Sequence, residues 1–144
     1  MSRRKEKDGK LALLRGVPLF ANLDDHELGE IARHADQISV PEGQVLVSQD
    51  AAGNSFYVII EGAADVVRDG QKLAELTDGD FLGEMALLED LPRSATVVTT
   101  APTRVLEMHR REFSGVLDEA PHLARKMLAT MAHRLRNADE QLVT

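Results

Sequence analysis

Between residues 38 and 109 apolar and polar positions alternate in short runs, separated by glycines and acidic turns. Ile38 and Val40, then Val45 and Val47, stand among polar neighbours with Pro41, Glu42 and Gly43 between them, which predicts two strands joined by a turn. Further β-rich runs follow at 55–61, 63–68, 71–76, 95–100 and 103–109, with Gly53, Gly62, Gly70 and Gly79 punctuating the gaps. Strands spaced by tight turns at intervals of about ten residues point to an antiparallel sandwich or barrel rather than alternating βα units.

The period changes at both ends of the chain. Asp24 followed three residues later by Glu27, ahead of Leu28, Ile31 and Ala32, predicts a helix that starts with a capping box. From Pro121 the apolar residues Ala124, Leu128, Met131, Leu135, Ala138 and Leu142 fall alternately four and three apart, which predicts a long helix over about 121–143 with a seam for another surface. A short helix is expected at 11–14, then a turn at Pro18 that tucks Phe20 inward. Residues 1–10 mix five basic side chains with Glu6 and Asp8 and lack an apolar period, so they read as a flexible basic end, and 11–144 as one domain. The expected fold is mainly β: a jelly-roll-like antiparallel barrel of about eight strands with N-terminal helices and a long C-terminal helix.

Composition narrows the function. A length of 144 residues with 43% hydrophobic content suits one domain with a real core. A formal charge of -7 disfavours nucleic acid as the main ligand, since a polyanion needs a basic face. The absence of Cys removes disulfides, thiolate metal sites and a Cys nucleophile together. No apolar run approaches the roughly 20 residues needed to span a bilayer, so a soluble cytoplasmic protein is expected. The five histidines, His26, His34, His109, His122 and His133, have no metal spacing, which argues against a cupin-type metal barrel. No serine can be matched from sequence to a base and an orienting group, so an enzyme is not expected and neither is a cofactor.

One stretch interrupts the strands with something that is neither strand nor tight turn: residues 81–95. Gly83 permits close backbone approach, and the helix formers from Glu84 to Leu88 predict a single helical turn whose first N–H groups attract an anion. A carboxylate at Glu84 would repel a phosphate unless it accepts from donors of its own, and ribose hydroxyls are such donors. Arg93, after the stiffening Pro92, supplies a planar fork suited to phosphate oxygens, and Ser94 adds a hydroxyl. Acid, backbone N–H groups, Arg and apolar walls together describe a site for one nucleotide.

This stretch resembles the phosphate-binding cassette of the cyclic-nucleotide-binding domain family, and the likeness extends over roughly residues 14–142. The family's order and spacing are matched by the helix at 24–34, Pro41-Glu42-Gly43, Tyr57-Val58-Ile59 leading to Gly62, Asp69-Gly70 and residues 76–80. The resemblance implies that Glu84 meets the ribose 2′-hydroxyl, that Arg93 meets the cyclic phosphate, and that Gly83, Met85 and Ala86 make backbone contacts. It implies that Ser94 meets phosphate or base, with Ala95 beside it, and that Val66 and Leu73 line the base pocket. The last helix resembles that of the bacterial catabolite-activator and fumarate–nitrate-regulator branch, in which two such helices pair, so a homodimer through this helix is implied.

In that branch an Arg at the place of Arg134 reaches toward the ligand end. Ala138 stands where the cyclic-AMP-responsive activator has a Thr that contacts the adenine amino group, which leaves base selectivity open. The ligand expected is cyclic AMP, with cyclic GMP second because the Ser94 hydroxyl suits a guanine amino group. The sequence ends at Thr144, where that branch would begin a winged helix-turn-helix, so the expectation is a sensor that signals to an unidentified protein partner without binding DNA directly. The alternative is a degenerate member of the fold that binds no nucleotide and works as a dimerisation or docking module.

Overall fold

The computed structural model describes residues 2–88 and 92–143, with the side chains of 2–8, 84, 85, 134 and 138–143 outside that description. The chain divides into two compact units: residues 33–114, and residues 1–32 together with 115–144.

The first unit holds eight antiparallel strands: β1 (Asp36–Val40), β2 (Val45–Val47), β3 (Ser55–Glu61), β4 (Ala63–Arg68), β5 (Gln71–Thr77), β6 (Phe81–Leu82), β7 (Thr96–Thr99) and β8 (Thr103–His109). They form two four-stranded sheets, in the orders β1-β8-β3-β6 and β2-β7-β4-β5. The sheets do not close on each other through hydrogen bonds, so the expected barrel is two open sheets. Their inner faces share one core, with Ile59, Leu82 and Val105 from the first sheet meeting Ala64 and Val97 from the second. That core is aliphatic because period-two alternation delivers a β-branched or leucyl side chain inward from nearly every strand.

Strand boundaries predicted for β3, β4 and β8 coincide with those observed. The two-residue β6 was not predicted, because two positions carry no alternation to read; it pairs Tyr57 with Leu82 and Val58 with Phe81. A bulge in the β4–β5 pairing, between Val66 and Val67, shifts the register so that Val66 faces Ala74 while Val67 faces Lys72. Leu73 is the residue left over, and it turns outward with 48% of its surface exposed.

The second unit is helical. It contains α1 (Ser2–Arg15), a 3-10 turn at Pro18–Phe20, α2 (Asp25–Ala32), the latter half of α3 (Arg110–Glu119) and α4 (Pro121–Val143). The capping box forms at the start of α2: the Glu27 N–H donates to Asp24 Oδ1 at 2.8 Å and the Asp24 N–H to Glu27 Oε1 at 2.9 Å. Where a flexible end is expected over residues 1–10, α1 already begins at Ser2. Arg, Lys and Glu are strong helix formers, and once the turn around the buried Leu14 exists, each added residue costs only propagation.

Helix α4 is pinned within this unit by polar contacts. Lys126 Nζ donates to Glu27 Oε1 at 2.6 Å, His122 Nε2 lies 3.4 Å from Glu27 Oε2, and Asn22 Nδ2 donates to Thr130 Oγ1 at 2.7 Å. Leu123 and Met127 are buried on the same side, whereas Leu128 and Leu135 are about two-thirds exposed on another. Among the described residues, no helix is long and apolar enough to cross a membrane.

Candidate functional site

The segment that follows β6 folds as the spacing predicts, in a compressed form. Gly83 takes φ +79°, a left-handed conformation that L side chains rarely adopt, and the chain then enters a 3-10 turn at Glu84–Leu87. The Ala86 N–H donates to the Gly83 carbonyl at 2.9 Å and closes that turn, while Ala86 and Leu87 are buried beneath it. The return limb is fixed by backbone pairing: the Arg93 N–H donates to Ala51 O at 2.9 Å, and the Asp50 N–H donates to Arg93 O at 2.7 Å.

These bonds hold the Arg93 backbone firmly enough to aim its side chain inward. The guanidinium passes between two glycines, and a Cβ on either Gly53 or Gly83 would collide with it. One guanidinium nitrogen, Nη2, donates to the Ser55 carbonyl oxygen, whereas Nε is buried without a hydrogen-bond partner. Burial holds the Arg93 pKa below its ordinary value, with the negative phenolate form of Tyr57 acting in the opposite sense. A guanidinium stays charged under such a shift. A part-buried cation with an unmet donor is poised for an anion, since leaving such a group unpaired is costly.

The space in front of Arg93 is a recess of about 200 Å³ lined by Val47, Val66, Leu76, residues 81–83, Arg93, Ser94, Ala95 and Val97. Of the residues named from sequence, Gly83, Arg93, Ser94, Ala95 and Val66 therefore come together. Leu73 does not: the bulge places it on the outer face, and Leu76 occupies the apolar wall in its stead. The side chains of Glu84, Met85 and Arg134 lie outside the described residues. A second, more polar recess of about 170 Å³ adjoins the first at Val47 and Arg93 and is lined by residues 45–48 and 51–55 with Tyr57.

Sequence reasoning missed Gly53, Ser55 and Tyr57 as parts of this site. Tyr57 is half-buried, and its hydroxyl is pushed up to about 12 by burial and by hydrogen bonding to Glu107. The signal available was slight: a glycine two residues ahead of a β-rich run. Among the described residues no group of three or more His, Asp or Glu side chains is placed to hold a metal ion.

The chain matches the model of the family described as "Cyclic nucleotide-binding domain" over residues 37–120. It is 32% identical over 117 residues to the cAMP-dependent protein kinase regulatory subunit of Aspergillus niger, covering 80% of this chain and 28% of that protein. It is 31% identical over 134 residues to the Cyclic AMP receptor protein of Thermus thermophilus, covering 90% of this chain and 62% of that one. The chain thus spans about a quarter of the first relative's length and somewhat less than two-thirds of the second's. Among solved structures, the N-terminal domain of a transcriptional regulator from Streptomyces coelicolor superposes with a TM-score of 0.81 at 28% identity, covering 90% of this chain and 93% of that one.

Proposed function

The chain belongs to the cyclic nucleotide-binding domain family, and on that footing we propose that it is a regulatory sensor that takes cyclic AMP, with cyclic GMP the second choice. The observation that carries this reading is Arg93: a part-buried cation with an unmet Nε donor, lining a recess together with the apolar Val66, Leu76 and Val97. A cyclic phosphate satisfies the cation, and a purine suits the wall formed by Val66, Leu76 and Val97. That relatives of this chain are named for cyclic AMP supports the choice of base.

In this reading the phosphate accepts hydrogen bonds from Arg93 and Ser94 and from the backbone at Gly83 and Met85. Ala86 joins only by sharing the donor that already closes its turn. Glu84 accepts from the ribose 2′-hydroxyl, and Ala95 packs beside the sugar. Arg134 on α4 rests on resemblance alone. Binding then signals by repositioning α4, which requires that ligand favour one position of that helix over another by its differential affinity. The exposed Leu128 and Leu135, seven residues apart, are where a second copy of α4 would pair. The output is regulatory rather than catalytic, delivered to a protein partner.

Equilibrium dialysis with labelled cyclic AMP tests the site. Wild type should retain the nucleotide and Arg93→Ala should lose most of it; equal retention by the two proteins would sink the assignment.

A further inference from the structure

Strands β3 and β8 are neighbours, and their register sets Ser55 opposite His109 and Tyr57 opposite Glu107. The alternation of a strand puts all four side chains on one face. His109 bridges two of them: its Nδ1 is 2.8 Å from Ser55 Oγ, and its Nε2 is 3.3 Å from Glu107 Oε1. The same Ser55 gives its carbonyl oxygen to Arg93. A continuous chain of contacts therefore runs from the carboxylate of Glu107 through the imidazole and Ser55 to the guanidinium at the mouth of the recess.

Proton exchange along this chain has a definite consequence. With a neutral imidazole that donates from Nε2 to Glu107, Nδ1 accepts from the Ser55 hydroxyl. Once protonated, both ring nitrogens donate, and the Ser55 hydroxyl turns toward the Asn54 side-chain oxygen, which lies 3.4 Å away. A positive charge then stands against Ser55, the residue whose carbonyl oxygen accepts from Arg93. Of the charged or titratable groups among the described residues, Glu107 contacts His109 from its own strand, Arg110 follows it in the chain, Tyr57 pairs with Glu107 from β3, and Arg93 is reached through Ser55. Glu107 is mostly buried and Tyr57 is already hydrogen-bonded to it, so neither cancels the change in charge when the imidazole takes a proton. The His109 side chain is 43% exposed, so protons reach it and solvent screens it in part.

We propose that His109 is a proton-linked accessory of the anion site, so that capture of a cyclic phosphate is accompanied by proton uptake at this imidazole. The inference rests on the reading of Arg93 as the phosphate ligand. An anion favours the charged form of a nearby imidazole, and by linkage the charged imidazole favours the anion by the same factor. A cyclic phosphodiester keeps one negative charge throughout the range in which histidine titrates, so the proton belongs to the protein. Affinity therefore rises as pH falls from 8 to 6, by about three- to tenfold, the scale of a unit-charge interaction in partly screened surroundings.

The test is calorimetric titration with cyclic AMP at pH 6.5 in two buffers of contrasting ionisation enthalpy, repeated at pH 8. Wild type should take up a fraction of a proton per nucleotide bound, and His109→Asn, which keeps an acceptor for Ser55 but cannot titrate, should take up none. The variant should also lose the tightening at low pH. His109→Gln serves as the second variant if the first is shown by circular dichroism to be unfolded. The same uptake in wild type and variant, or binding by wild type without uptake, overturns the role of His109 and leaves the phosphate site standing. Failure of wild type to bind at either pH overturns both.

Discussion

Gly53 and Arg93 lie so close that a Cβ on the glycine would come within 2.7 Å of Arg93 Cδ and closer still to the guanidinium. The glycine is thus one wall of the slot that aims the cation. Gly83 is the other wall, with a left-handed φ besides.

Gly53→Ala is therefore expected to push Arg93 out of its slot and weaken cyclic nucleotide binding by about tenfold or more, a loss on the scale of one hydrogen bond to a charged group. Gly83→Ala should do the same and add roughly 1 kcal/mol of backbone strain. Nucleotide titration beside thermal unfolding separates the two effects: Gly53→Ala should lose affinity with little loss of stability.

Arg93→Lys should recover only part of what Arg93→Ala loses. Lysine keeps the charge but not the planar fork, and it cannot satisfy the Ser55 carbonyl and a phosphate in the same geometry. An affinity between those of wild type and Arg93→Ala is the expected result in a fluorescent-nucleotide competition assay; full recovery would mean that charge alone suffices.

How much of this was legible beforehand follows distance along the chain. The Asp24–Glu27 capping box, the edges of β3, β4 and β8, and α4 were readable because their causes are local: a side chain three residues from its partner, or an apolar period. That Gly83, Arg93, Ser94 and Ala95 line one recess could be anticipated because they are close in sequence. Gly53 could not, since its partner stands forty residues away, and neither could the pairing of Ser55 with His109, which depends on the β3–β8 register. Leu73 was misplaced for a related reason, because a one-residue bulge reverses which face a strand position occupies.

Glu27 is nearly buried and serves both the cap of α2 and the anchoring of α4. The hydrogen bond from the Asp24 backbone N–H, and then that from Lys126, hold its carboxyl below the ordinary value of 4.5. A carboxyl depressed on folding contributes stability that is present above its unfolded pKa and is lost as pH falls through the folded one. Thermal stability should thus hold near neutrality and decline as pH drops below about 4.5, with a shallower decline in Glu27→Gln. At pH 7, Glu27→Ala should cost about 1–2 kcal/mol, the scale of a lost cap.

Leu128→Asp with Leu135→Asp should leave nucleotide affinity nearly unchanged and abolish self-association, since both side chains are exposed on α4. Sedimentation equilibrium checks this directly. A wild type that remains monomeric at every concentration would remove the pairing of α4 from the account.

The central claim is that the recess in front of Arg93 is built for a cyclic phosphate. Isothermal titration of the wild-type chain with cyclic AMP, cyclic GMP and 5′-AMP tests it most directly. Micromolar or tighter binding of a cyclic nucleotide is expected, cyclic AMP before cyclic GMP, with no comparable heat from 5′-AMP; silence from all three would rule out the phosphate site and leave the fold as a docking module.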